Sequence, residues 1–419
     1  MKRFRGLVGI LLLLTAAGAD AAPRTLTSIR YYTAPDHTRI VADLSGPSTF
    51  THRVLGGPDR IAVDIKETRF RSNTRKIAVD DGLVRAIRMN VLRNGTAQVV
   101  LDLVRPSRFQ VFALAPVAGK PDRVVIDVYR EVKAPPPPVA ADDGVRRIVI
   151  DPGHGGDDPG AAGLFKLREK DLTLDLARRL ARLTDAAPGY EALLTRKGDY
   201  FVKLRDRQVF ARREGADLFI SLHANSARSA RPNGFEIFFL SLGGATDKMA
   251  RELADKENAS DLVGGVPSDA EDEVLSILFD YLTEEGMKKS EVLAEELYNA
   301  FRAEKGMAVR NVKQAGFAVL KSIEVPAVLV EVGFLSNRSD AALLADDGFR
   351  DRLVHRLFEG IENYYARAGQ ETVVFHVVKR GETAWSIAEK YCVNVRDLLD
   401  RNGLRPDSML EVGQRLRIP

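Results

Sequence analysis

Four residues of this chain have the types and flanking sequence that metal chemistry needs. His154 stands in the Gly-rich turn Gly153-His154-Gly155-Gly156, just after the run Ile148-Val149-Ile150-Asp151-Pro152. A rigid strand running into glycines lets the backbone turn sharply beside a ligand, which is how a sheet edge presents one. Glu169 follows 15 residues later. His223 ends a second apolar run, Leu218-Phe219-Ile220-Ser221-Leu222, and Glu331 ends a third, Val328-Leu329-Val330. Two histidines and a carboxylate form a zinc set that leaves one coordination position open for water, and a second carboxylate can serve as base. A histidine met alone is more often a hydrogen-bonded core or surface residue. A carboxylate straight after three apolar β-formers, however, stands where another apolar residue is expected.

The elements that must position these residues are legible from periodicity. Residues 146–367 alternate strands and helices, as an α/β domain does. Leu172, Leu176, Leu180 and Leu183 mark one face of a helix starting near Lys170, which puts Glu169 just before or in its first turn. Further helices are predicted over 287–301 and 349–365. Gly264-Gly265, Pro267 and a cluster of acids break the stretch 245–283 into an excursion with short helices of its own. Long insertions of that kind are often functional loops or lids.

Residues 26–130 read as strand after strand separated by Gly, Pro, Asn and Asp, an all-β domain. Its runs ending at Leu44, Ile65, Leu103 and Val128 share an apolar-x-Asp-apolar pattern around Asp43, Asp64, Asp102 and Asp127, which points to an internal duplication. Pro135-Pro136-Pro137-Pro138 then marks a semi-rigid, extended spacer. A small βααβ module closes the chain, with strands over 375–378 and 415–418 and helices over 385–391 and 395–401. Glu382-Thr383 is placed to cap its first helix.

Length sets about two to four domains. The formal net charge of +4 over 419 residues permits contact with an anionic surface without demanding nucleic acid, and no recognition helix or RNA-binding signature is present. Lys2, Arg3 and Arg5, an apolar run over 7–14 and Ala19-Asp20-Ala21 read as a cleaved export signal. The run is too short to span a bilayer comfortably, and no later stretch resembles a membrane helix. The mature chain is expected to start near Ala22, outside the cytoplasm. Cys392 is the single cysteine, so no internal disulfide framework exists, and it reads as a small buried apolar residue.

Several segments together resemble a known family. Ile150-Asp151-Pro152-Gly153-His154-Gly155-Gly156, Arg168-Glu169-Lys170-Asp171, Ser221-Leu222-His223-Ala224-Asn225, Glu257-Asn258-Ala259-Ser260-Asp261, Gln314 to Lys321 and Gly333-Phe334-Leu335-Ser336-Asn337 occur in the order seen in zinc-dependent N-acetylmuramoyl-L-alanine amidases of the cell-division type. Val332-Gly333 departs from the Thr-Ala that those enzymes often carry. Val378, Gly381, Glu382, Thr383, Trp385, Asn402, Gly403, Leu404, Gly413 and Gln414 resemble a LysM domain. The N-terminal β domain is similar, in position and strand content, to the AMIN domain of periplasmic amidases.

The resemblance implies a multidomain fold: a signal peptide over 1–22, an all-β domain over 23–130, a Pro-rich linker over 131–145, a central α/β amidase domain with a mixed sheet flanked by helices over 146–367, and the LysM module over 372–419. It implies His154, Glu169 and His223 as ligands of one Zn²⁺, with Glu331 as general base and then acid. It also implies a regulatory helix in 245–283 that blocks the metal until a periplasmic activator binds, with Glu257 as the blocking contact. Peptidoglycan is the implied substrate and partner, with glycan contacts around Gly381, Glu382, Thr383, Asn402, Gly403 and Leu404. Two competing readings are a wall-binding protein without activity and a zinc peptidase cutting within the stem peptide. Retention of the whole metal set argues against the first, and the central motifs argue against the second.

Overall fold

The structure, a computed structural model, describes residues 24–70, 75–92, 96–131, 144–241, 243–266, 284–306, 308–321, 325–370, 375–391, 393–406 and 408–418. The export signal, most of the Pro-rich spacer, Cys392 and residues 267–283 of the excursion lie outside the described residues. The chain divides into two compact bodies, one ending at Phe358 and one comprising Glu359–Pro419.

The N-terminal region contains β1 (Arg24–Thr33), β2 (His37–Leu44), β3 (Phe50–Leu55), β4 (Arg60–Ile65), β5 (Thr68–Phe70), β6 (Lys76–Ala78), β7 (Val84–Val91), β8 (Ala97–Leu103), β9 (Phe109–Leu114) and β10 (Asp122–Tyr129). They form two five-stranded sheets, ordered β5-β1-β2-β10-β9 and β3-β4-β8-β7-β6. Strand alternation explains the core. Ile40, Ala42, Leu44, Val124, Ile126 and Val128 from one sheet meet Ile61, Val63, Ile65, Val99 and Leu101 from the other. The duplicated Asp pattern has a structural counterpart. The strands carrying it are the adjacent antiparallel pairs β2/β10 and β4/β8 at equivalent places in the two sheets.

The α/β region follows, with β11 (Arg146–Pro152), α1 (Glu169–Ala186), β12 (Tyr190–Leu194), α2 (Leu204–Arg213), β13 (Leu218–Asn225), β14 (Phe235–Leu240), α3 (Lys248–Asn258), α4 (Ser260–Val263), α5 (Glu284–Arg302), β15 (Val309–Ala315), β16 (Ala327–Phe334), α6 (Arg338–Ala345) and α7 (Asp347–Gln370). The six-stranded sheet runs β12-β11-β13-β16-β14-β15. It is mixed: β14 is antiparallel to β16, and the other pairings are parallel. Residues of α2 and α3, among them Ala211, Ala250, Leu253 and Ala254, share a core with Val149, Phe219, Phe238 and Leu329 of the sheet. No described helix is long and apolar enough to cross a membrane.

His223 and Glu331 do not end their strands, as the sequence led us to expect. β13 continues to Asn225 and β16 to Phe334. Both strands are buried along their whole length, so a polar residue inside them is an interior position and not a terminus.

The C-terminal body contains an antiparallel pair, β17 (Phe375–Val377) and β18 (Arg415–Arg417), with α8 (Ala384–Tyr391) and α9 (Val395–Arg401). Val378, Ile387, Ala388, Leu398, Leu416 and Ile418 form its core. Thr383 caps α8, accepting from the Ser386 amide at 3.2 Å. Glu382 instead accepts from His376 Nε2 at 2.6 Å. His376 is buried.

Candidate metal centre

The central strands β11, β13 and β16 converge on one end of the sheet. His154 lies just past β11, Glu169 opens α1, and His223 and Glu331 are register partners on the adjacent parallel strands β13 and β16. One ligand atom from each of His154, Glu169, His223 and Glu257 lies within 4.8 Å of all the others. All of these residues and Glu331 are buried. The structure therefore brings together every residue expected of the metal site. Glu257, which the resemblance implied as the blocking contact, stands with them from the last turn of α3.

The imidazoles are aimed by their surroundings. His154 Nδ1 lies 2.7 Å from Asp158 Oδ2, which directs Nε2 into the cluster. There Nε2 stands 3.0 Å from Glu169 Oε1 and 3.1 Å from Glu257 Oε2. It meets the hydrogen-bond geometry of neither. His223 Nδ1 is 3.1 Å from Glu169 Oε1 and 3.3 Å from Glu257 Oε2. The Glu169 carboxylate is itself held by the amides of Ala161 at 2.7 Å and Ala224 at 2.9 Å. Close packing completes the cradle. A Cβ on Gly153 would meet the His223 ring at 2.5 Å, and one on Gly160 would meet Glu169 Oε2 at 2.6 Å.

The backbone at His154 adopts φ +60°, a left-handed conformation that costs a non-glycine residue free energy. Two buried arginines hold it there. Arg207 donates to the carbonyls of Pro152 at 2.7 Å and His154 at 2.9 Å, and pairs with Asp151 at 2.6 Å. Arg196 donates to the carbonyls of Pro152 at 3.0 Å and Gly153 at 2.8 Å. The sequence reading missed Asp158, Arg196 and Arg207. For Asp158 the available signal was a carboxylate four residues past a histidine in a tight turn.

Electrostatics separate the carboxylates. Burial opposes ionisation of Glu169 and Glu257, yet cations outweigh it. His154 holds Glu169 well below the usual carboxylate range, and Lys256, then His154, do the same for Glu257. Burial also works against charge on His154 and His223. Glu169 and Asp158 nonetheless raise His154 well above its ordinary value, and bonds to Glu169 and Glu257 lift His223 to about 9. Glu331 goes the other way: burial, then the nearby charge of Glu169, push its carboxyl well above the usual range. Neither oxygen of Glu331 has a hydrogen-bond partner among the described residues. The site thus sets donors held below the usual carboxylate range beside one carboxyl raised above it and without a hydrogen-bond partner among the described residues, the separation of pKa values that acid–base chemistry uses.

Two imidazoles and carboxylate oxygens, buried and unscreened at this spacing, fit a divalent ion of the zinc type. The residues expected to contact glycan occupy two turns of the C-terminal body, Gly381, Glu382 and Thr383 before α8 and Asn402, Gly403 and Leu404 after α9.

Comparison with known proteins identifies the family. The family profile for N-acetylmuramoyl-L-alanine amidases matches residues 148–363, that of the AMIN domain 28–128, and that of the LysM domain 376–419. The chain is 32% identical over 397 residues to the N-acetylmuramoyl-L-alanine amidase AmiC of Escherichia coli O6:H1, covering 87% of this chain and 95% of that protein. It is 31% identical over 376 residues to AmiC of Neisseria meningitidis serogroup B, covering 81% and 89%. Among solved structures, the N-acetylmuramoyl-L-alanine amidase AmiC2 of Nostoc punctiforme is 28% identical and covers 54% of this chain and 100% of that one, with a TM-score of 0.41. The chain belongs to the N-acetylmuramoyl-L-alanine amidase family.

Proposed function

We propose that this chain is a zinc-dependent peptidoglycan amidase. It hydrolyses the amide between N-acetylmuramic acid and the L-alanine of the stem peptide, in cell-wall remodelling and daughter-cell separation. The observation that carries the reading is the buried convergence of His154, Glu169 and His223, with Glu331 beside His223 on the next strand. Those three side chains would hold one zinc per chain. Zinc bound there supplies Lewis acidity, polarising the scissile carbonyl and lowering the pKa of water toward about 7.

The remaining chemistry belongs to the chain. An amide resists hydrolysis because its carbonyl is a weak electrophile and its amine a poor leaving group. Glu331 removes a proton from water as the water oxygen bonds to the carbonyl carbon. It then delivers that proton to the amine nitrogen as the carbon–nitrogen bond breaks. Its two oxygens have no competing donors among the described residues, so they are available at both stages. A group in this role contributes on the order of 10²–10⁴-fold. Asp158 fixes the His154 ring, and the amides of Ala161 and Ala224 fix Glu169, so little reorganisation is needed in the reaction.

Glu257 stands among the ligands because α3 delivers it there. We read this as self-inhibition: Glu257 takes the position that substrate needs, and a periplasmic activator engaging 245–283 withdraws it. Export through a cleaved signal over 1–22 places the enzyme in the periplasm. The domain limits 23–130, 131–145, 146–367 and 372–419 follow the same reading. The C-terminal module holds wall glycan around Gly381, Glu382, Thr383, Asn402, Gly403 and Leu404.

Mass spectrometry of sacculi treated with the zinc-loaded chain tests the reaction. Free stem peptides and intact glycan strands are expected. Shortened stems would identify a peptidase and no release a wall-binding protein, and either result ends the amidase reading.

A further inference from the structure

The outward face of β2 and β10 is not the solvated surface that a sandwich normally presents. Alternation points Arg39, Asp43, Arg123 and Asp127 away from the sandwich core, yet each is less than 9% exposed. Asp43 is paired within the β domain by Ser28 and Arg30, but Arg39 and Arg123 reach the α/β domain. Arg39 binds Asp127 bidentately, Nε at 2.8 Å and Nη2 at 2.7 Å. Its remaining nitrogen, Nη1, donates to the carbonyls of Gly264 at 2.6 Å and Gly265 at 3.2 Å. Arg123 Nη1 donates to Asp157 Oδ2 at 2.8 Å and to the Val263 carbonyl at 3.1 Å. Arg30 at 2.7 Å and Lys120 at 3.0 Å also pair with Asp157. A Cβ on Gly265 would meet both Arg39 and Leu114 at 3.1 Å, so the contact is tight.

These contacts fall at two places that matter. Residues 263–265 close the described part of the stretch that begins with α3 and carries Glu257. Asp157 adjoins Asp158, which binds His154 on one side and accepts from Ser260 of the same stretch at 2.6 Å on the other. Burying two guanidinium groups is unfavourable unless each is paired. Here the pairing draws on backbone carbonyls of the inhibitory stretch and on Asp157.

We propose that the N-terminal β domain is an interaction surface whose partner is this chain's own segment 248–266, and that it latches that segment over the metal ligands. Arg39 and Arg123 grip the end of the segment, while Arg30, Lys120 and Arg123 anchor the turn it closes on. Release of Glu257 therefore requires the β domain to let go as well as the segment to move. The latch rests on the reading of Glu257 as inhibitory, so the test must separate the two.

Hydrogen exchange followed by mass spectrometry on the full-length chain does so. In the double variant Arg39→Ala/Asp127→Ala both members of the buried pair are removed, leaving no orphaned charge. Amides of 248–266 are expected to exchange about tenfold faster or more, the factor for losing one charge-assisted hydrogen bond. Amides of β4, β8 and β16 should exchange as in the parent. Arg39→Lys, which keeps a cation for Asp127 but cannot fork to Gly264, is expected to move exchange in the same direction, and it decides the question if the double variant loosens the sandwich. Unchanged exchange in 248–266 with an intact sandwich overturns the latch. Sacculus hydrolysis by the same variants tests the other reading. Faster exchange without a gain in hydrolysis keeps the latch and removes Glu257 as inhibitor.

Discussion

Glu257, which touches both histidines, and Glu331, the register partner of His223, should respond to the same substitution in opposite ways. The Glu331 carboxyl is raised well above the usual range and has no hydrogen-bond partner among the described residues, whereas Glu257 is held well below that range beside Lys256 and His154. Glu331→Gln keeps shape and burial but cannot carry a proton. It is expected to retain the fold and about one zinc per chain while losing on the order of 10²–10⁴-fold in turnover. Glu257→Gln leaves the proton relay intact and weakens the self-made donor. Its basal sacculus hydrolysis is expected to rise several-fold, because the substitution weakens the block by roughly 1–2 kcal/mol. Zinc content and initial rates measured side by side check both. A Glu331→Gln enzyme at parental rate would remove that residue from the mechanism, and a Glu257→Gln enzyme with no gain would remove the block.

At the scale of elements, the ligand-bearing turn depends on the β11–α2 connection through Asp151 and Arg207, both side chains 1% exposed. Removing one partner of such a buried pair costs about 3–5 kcal/mol, so Asp151→Asn should lower the denaturation midpoint clearly. The acid dependence fixes the sign. Burial raises the Asp151 pKa, but Arg207 and the hydroxyls of Thr195 and Ser221 outweigh it and bring the carboxyl below its ordinary value. A depressed folded pKa gives stability that is complete above the unfolded value of about 3.9 and is lost as pH falls through the folded one. The parent should therefore lose stability below about pH 4 more steeply than Asp151→Asn, and equal slopes in acid unfolding would count against this role. The sequence showed which strands carry His154 and His223 because Ile148 to Asp151 and Leu218 to Leu222 are unmistakable. It misjudged where β13 and β16 stop, because His223 and Glu331 look like ends when only the chain is in view. It also concealed the outward face of β2 and β10. Alternating Arg and Asp there reads as solvated surface, and only tertiary contact turns Arg39 and Arg123 into buried groups. His376 was hidden for the same reason, since its partners Tyr391 and Glu382 lie in other elements.

At the scale of the whole molecule, the His/Glu cluster and the stretch matching the LysM domain lie in different compact bodies. Within the C-terminal body, residues 375–418 have their own core of Val378, Ile387, Leu398, Leu416 and Ile418, and among the described residues β17 and β18 pair only with each other, so loss of this module leaves every strand of the six-stranded sheet with its partner. Attachment to an insoluble polymer raises the local concentration of scissile bonds without altering the site that cuts them. Loss of 372–419 should then act on the association step alone. Sacculus hydrolysis at low enzyme concentration is expected to fall by about tenfold or more, while turnover of a short soluble muropeptide, which gains nothing from tethering, stays at the parental level. Equal losses on both substrates would mean that the module supports the catalytic domain and not the encounter with the wall. A full rate on sacculi would mean that the remaining body finds the polymer unaided, with the exposed Trp385 and its neighbouring turns contributing nothing to capture.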